Sequence, residues 1–150
     1  CKQTAKLGVD GMLVCPGYSY ESVPRDMFLT RNEIQDKFKQ ILSFRKKYKL
    51  TSTPMYLELA AGMREYDRSP WSAVTYTPNG WKGPCYLIGE RFFDDYETFW
   101  NETNWAYWES RKDPKCQNCA MHSGFEASVV RELGKSPKDV ARITAWNLLG

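Results

Sequence analysis

The sequence holds a single histidine, no glycine-rich phosphate loop of either common spacing, and no apolar run near the ~20 residues that cross a bilayer. With one histidine, and no Ser or Cys in a nucleophile elbow, the usual hydrolase templates have no footing. Neither sign of charge dominates: 21 basic against 18 acidic residues leave a net +3. A nucleic-acid partner would demand clustered Lys and Arg, so none is expected. The densest basic run, Arg45, Lys46, Lys47 and Lys49, falls at the end of a predicted helix, where the helix dipole and water accommodate it. Residues 1–10 contain no long apolar stretch of the secretory type and no initiator Met. The chain is therefore expected to start inside a longer protein, or after a removed leader.

What is present is the composition of a folded domain. At 42% hydrophobic and 26% charged, 150 residues suffice for one unit burying roughly two-thirds of its unfolded surface. Six Trp, nine Tyr and seven Phe imply a heavy core or a large interface.

Residues 9–15, bracketed by Gly8 and Pro16-Gly17, read as a strand buried in a parallel sheet. Thr30 with Glu33 forms a capping box, and Ile34, Phe38, Ile41, Leu42 and Arg45 trace one helical face behind it. Strand, loop and helix make half of a βα unit. No equally convincing parallel partner follows, so the partners are expected before Cys1. Pro54 opens a short helix through Met55, Leu57, Leu59 and Ala60, closed by Gly62. Asn79-Gly80 signals a turn between short strands near Val74–Tyr76 and Tyr86–Ile88. Helices are predicted over residues 94–100, 127–133 and 137–149, the last with Val140, Ile143, Ala145 and Trp146 inward. The adjacent acids Asp94 and Asp95 suit a helix start.

Chemistry concentrates in the cysteines. Cys116 and Cys119 form a CxxC, His122 follows three residues later, and Cys85 lies upstream in Gly83-Pro84-Cys85. Two intervening residues let the backbone curl both thiolates toward one metal. Three Cys and one His would satisfy structural zinc. An iron–sulfur cluster prefers four thiolates but accepts another ligand or an open iron. The third reading is buried thiols acting as small hydrophobes. A second candidate is the loop after the first strand. Tyr18, Tyr20 and Glu21 sit where α/β barrels build their active sites, as contacts for substrate or cofactor or as rings packed on the rim.

Several short motifs occur in order: Val9-Asp10-Gly11-Met12, Pro16-Gly17-Tyr18 with Tyr20-Glu21, Phe28-Leu29, and Ser69-Pro70-Trp71. Gly80-Trp81, Pro84-Cys85, Glu102-Thr103 with Trp105, and Cys116-x-x-Cys119 with His122, Gly124 and Glu126 complete the succession. Together they resemble the hopanoid-biosynthesis radical S-adenosylmethionine family. The resemblance implies an α/β fold: residues 1–50 as the last portion of a partial radical S-adenosylmethionine (βα) barrel, and residues 51–150 as an irregular, Cys-containing α+β extension. It further implies an enzyme that cleaves S-adenosylmethionine at a 4Fe-4S cluster and transfers the deoxyadenosyl group to a diploptene-like hopanoid lipid. The CxxxCxxC motif that holds that cluster is absent here, so this chain alone is expected to be inactive without its barrel partner.

On the same resemblance, Tyr18, Tyr20 and Glu21 face the active site, and the aromatic stretch 66–81 encloses the polycyclic isoprenoid substrate. The C-terminal cysteines hold an auxiliary iron–sulfur cluster or zinc. The location is cytoplasmic, or peripheral to the inner membrane. The chain departs from the pattern at Arg68 and Ser123, where cysteines are expected, so a fourth ligand would be His122, Cys15 or exogenous. The alternative from another class is a stand-alone zinc-binding interaction module.

Overall fold

The computed structural model describes residues 1–18, 25–45, 47–85 and 89–149. After a helical turn, α1 (Lys2–Ala5), the chain runs extended through Met12 before reaching α2 (Arg31–Phe44). Thr30 starts α2 by the reciprocal bonds expected: its Oγ1 accepts from the Glu33 N–H, and its own N–H donates to Glu33 Oε2 at 2.8 Å. Ile34 and Phe38, one turn apart, are buried, with Ile41 and Leu42 packed beside them.

The opening strand is reduced to one parallel bridge, Met12 with Leu50. The Met12 N–H donates to Lys49 O, and its carbonyl accepts from the Thr51 N–H, both at 2.9 Å. A parallel partner thus follows α2 in the sequence, contrary to the expectation that partners lie only upstream. The segment is too short and polar to show a strand period. Leu13 remains 58% exposed, and its backbone groups make no hydrogen bond among the described residues.

Next comes α3 (Pro54–Ala60), capped by Thr53 and ended at Gly62, whose φ of +68° needs a residue without Cβ. Met55, Tyr56, Leu57, Leu59 and Ala60 are all buried, which makes α3 the axis of the fold. It packs against α2, α6 (His122–Leu133) and α7 (Pro137–Leu149). One core joins Ile34, Phe38 and Leu50 to Tyr56, Leu57, Leu59 and Phe125, running across position 50.

A second layer is the antiparallel sheet β1 (Thr75–Thr77), β2 (Gly80–Lys82) and β3 (Phe92–Phe93). The turn falls at residues 78–79 as signalled, but its second strand begins at once at Gly80; residues 86–88, where sequence placed it, lie outside the described residues. Trp81 stacks on Phe99 of α4 (Tyr96–Glu102) at 5.9 Å and meets Tyr96 edge-on at 4.9 Å. Trp105 of α5 (Trp105–Glu109) closes on Phe99 at 5.5 Å. Much of the aromatic excess therefore packs the chain's own second layer.

The inward face of α7 is shifted from the apolar pattern. Val140 is 44% exposed, while Asp139 is buried and Arg142 and Ile143 turn inward. An ion-pair network explains this: Arg64 and Arg142 bind Asp139, and Arg142 also binds Glu58 of α3. Satisfied charges, rather than apolar side chains, choose the buried face.

Candidate functional site

Residues 113–119 curl through successive turns. Asp113 Oδ1 accepts from the Lys115 N–H at 2.8 Å, Cys116 N–H bonds Asp113 O at 2.8 Å, and Cys119 N–H bonds Cys116 O at 3.2 Å. This winding turns both CxxC thiols inward, leaving Cys116 2% and Cys119 7% exposed. Cys85, also buried, arrives from the far end of β2. Cys85 lies near enough to raise the pKa of Cys116, and Cys85 and Cys116 together raise that of Cys119. Burial is the main influence, pushing Cys116 and Cys119 up; Arg68 opposes it, with Nη1 3.8 Å from Cys116 Sγ.

Tyr18 stands at the edge of this group, its Oη donating to Lys115 O at 3.4 Å. Burial, then Cys119, Cys116 and Cys85, push its phenol up to about 12. The sequence candidate Tyr18 and the cysteine site therefore meet. Tyr20 and Glu21 lie outside the described residues.

His122 belongs to a neighbouring group. Its ring meets Tyr56 edge-on at 4.8 Å, and its Nε2 lies 3.5 Å from Glu126 Oε2. Its backbone N–H donates to Cys15 Sγ at 3.2 Å, and Cys15 contacts Met121 Sδ at 3.7 Å. Buried Tyr56 donates from Oη to Ala120 O at 2.8 Å, which fixes the residue after Cys119 to α3. Among the described residues, no three His, Cys, Asp or Glu side chains are arranged to hold a metal ion.

The residues that sequence reasoning did not place are cationic. Arg68 is 7% exposed, its Nε has no hydrogen-bond partner, and its guanidinium lies 5.6 Å from the Phe125 ring. Arg111 approaches the same ring at 5.0 Å, and Arg31 Nη1 donates to Cys119 O at 2.8 Å. No period marks Arg68 or Arg111 as inward. The one available signal is the position of Arg68, where the motif succession calls for cysteine.

Fold and site together define a small α/β domain whose centre is a set of buried thiols faced by guanidinium groups. The chain belongs to the family described as Domain of unknown function (DUF3463), whose sequence model matches residues 12–143. No curated protein and no solved structure matches it. No helix among the described residues is long and apolar enough to cross a membrane.

Proposed function

We propose that this domain is the C-terminal part of a radical S-adenosylmethionine enzyme and completes the end of a (βα) barrel carried by the rest of that protein. The observation that carries the reading is the half-used strand at Met12. One edge pairs in parallel with Leu50, while Leu13 leaves its backbone groups without hydrogen-bond partners among the described residues. Leu7, Val9 and Leu13 of the same segment are exposed at 80%, 44% and 58%. Unpaired strand backbone on a segment with exposed apolar side chains suits burial against another sheet.

The substrate, a diploptene-like hopanoid receiving a deoxyadenosyl group, rests on the motif resemblance alone. S-adenosylmethionine and the 4Fe-4S cluster that cleaves it belong to the barrel portion, which would supply the radical. This chain's part is to close the barrel and keep water out, as radical chemistry requires. Tyr18 fits that role: it joins the extended segment to the cysteine turn.

His122 packs edge-on against Tyr56 and lies 3.5 Å from Glu126, apart from the CxxC thiols. The mutual approach of Cys85, Cys116 and Cys119 favours, as a second reading, a structural zinc or auxiliary iron–sulfur module. That module would require His122, Cys15 or an exogenous group to join the thiols.

Cleavage of S-adenosylmethionine should be absent from this chain and present in a longer polypeptide carrying an upstream CxxxCxxC. Leu13→Arg should abolish cleavage in the longer protein while leaving this chain folded, since Leu13 faces solvent here. Robust cleavage by this chain alone, or an unaffected Leu13→Arg variant of the longer protein, would overturn the reading. Anaerobic analysis finding zinc without iron or sulfide, in a stable monomer, would move the conclusion to the module.

A further inference from the structure

Arg68 poses an electrostatic problem that nothing described so far resolves. A guanidinium stays protonated at every accessible pH, and a charge taken from water needs an opposite charge or full hydrogen bonding. Arg68 is 7% exposed, its Nε is unpartnered, and among the described residues no carboxylate comes within ion-pair distance of it. Among the described residues its one polar contact is Cys116 Sγ at 3.8 Å, a thiol whose pKa burial raises.

A second cation deepens the problem. Arg111 reaches the same Phe125 ring at 5.0 Å, also without a carboxylate at ion-pair distance among the described residues. Its backbone adopts φ +55°, a conformation uncommon for a residue with Cβ, so the chain accepts strain where it places this side chain. Like charges brought to one ring repel. Of the neighbouring carboxylates, Glu65 acts on Arg111 only from beyond ion-pair distance and lies 3.9 Å from Arg31, and Asp113 caps its own turn.

The opening turn of α6 faces the same place. This helix of 12 residues starts at Met121 without a side-chain cap and with no acidic residue in its first turn, although its first N–H donates to Cys15 Sγ at 3.2 Å and Glu126 follows just beyond that turn. Gly124, in that turn, leaves room: a Cβ there would meet only Arg68 Nη2, at 3.9 Å. A buried guanidinium with an unpartnered Nε, a second cation at the same ring and the side-chain-free Gly124 converge.

We infer that Arg68 and Arg111, beside Gly124 of α6, form a binding site for an oxyanion group, phosphate or carboxylate, entering past Arg111. Arg111 is the more exposed of the two cations and forms the rim; Arg68 forms the floor and supplies Nε and Nη2. Planar guanidinium forks match both oxyanions. The inference is independent of the proposed enzymatic role.

The test uses the full chain, titrated with sodium phosphate and separately with sodium acetate, against sodium chloride at matched ionic strength to cancel screening. Calorimetry and thermal melting should show saturable binding of at least one oxyanion, and the stronger of the two names the group. Arg111→Asn, which suits the left-handed backbone, should weaken that binding about tenfold, the value of one charge-assisted contact. Arg68→Met should remove it. Because the buried variant could fail to fold, Arg111→Asn decides. Cys116→Ser should retain binding, since the thiol is not the counter-charge. No oxyanion effect beyond chloride, wild-type binding by Arg111→Asn, or loss of binding in Cys116→Ser would each overturn the assignment.

Discussion

Replacing Tyr56 by Phe removes one oxygen from the centre of the fold and tests whether the cysteine turn hangs on α3. The ring is fully buried, edge-on to Phe38 at 6.4 Å and to His122 at 4.8 Å, and Phe preserves both contacts. What disappears is the bond from Oη to Ala120 O at 2.8 Å, together with a long contact to Cys15 Sγ at 3.8 Å. Ala120 is 2% exposed, and no other donor reaches its carbonyl among the described residues, so water cannot replace the phenol. Leaving a buried acceptor unsatisfied costs about 1–3 kcal/mol. For a chain of this size each kcal/mol moves the melting temperature by about 2–4 °C, so a central value near 2 kcal/mol gives a drop of about 4–8 °C. Urea unfolding should show a lower midpoint at an unchanged m-value, because the surface exposed on unfolding is the same. Burial raises the Tyr56 pKa far above its ordinary value, so the donor persists and the deficit should not change between about pH 6 and pH 9. A loss below about 0.5 kcal/mol, or one that varies across that range, would refute the claim that Tyr56 anchors residues 119–121.

The remaining predictions address the layers around that anchor. Asp139 is held down to about 2, first by its bonds to Arg64, so its contribution is present above about pH 4 and is lost as pH falls from there toward 2. Asp139→Ala should accordingly cost about 1–3 kcal/mol at pH 7 and much less near pH 2.5, read by denaturant melts at both pH values. Gly80→Ala would place a Cβ 2.4 Å from Phe93 O on a backbone at φ +104°, destabilising by about 2–3 kcal/mol and disrupting the near-ultraviolet signal of Trp81. Native thiol labelling should modify exposed Cys1 first, then Cys15, with Cys85, Cys116 and Cys119 at least about a hundredfold slower, because they react only on local opening.

Local chemistry made much of the helical layer legible. Thr30 and Glu33 announce their helix because a capping box is settled within four residues, and Pro54 and Gly62 bracket α3 for similarly short-range reasons. The start of α6 was read five residues late, since His122, Ser123 and Gly124 are poor helix formers and Met121 offers no cap. α5 escaped for a different reason: its five residues are too few to show a period, and it is held by the Asn104 cap and by Trp105 against Phe99. On α7, Ile143 and Trp146 face inward as expected, but Val140 and Ala145 are exposed, because apolar periodicity ignores the Arg64–Asp139–Arg142–Glu58 network, whose members lie far apart in sequence.

The candidate site divides along the same line. A CxxC is a local motif, and its turn winds both thiols inward as its spacing implies. The convergence of Cys85 and Tyr18 on it is tertiary, which is why sequence could name them but not join them. His122 shows how proximity in sequence misleads. Three residues past Cys119 it occupies the first position of a helix, where Cys15, Tyr56 and Glu126 surround it. Arg68 shows the converse. An arginine beside Ser69-Pro70 gives no local sign of burial, and only the fold reveals a cation with an unpartnered Nε beside the Cys116 thiol. A cysteine at that position would stand beside Cys116 as a second soft donor, whereas the guanidinium makes the same place attract negative charge, so Arg68→Cys should abolish the saturable oxyanion binding read by calorimetry in the parent chain.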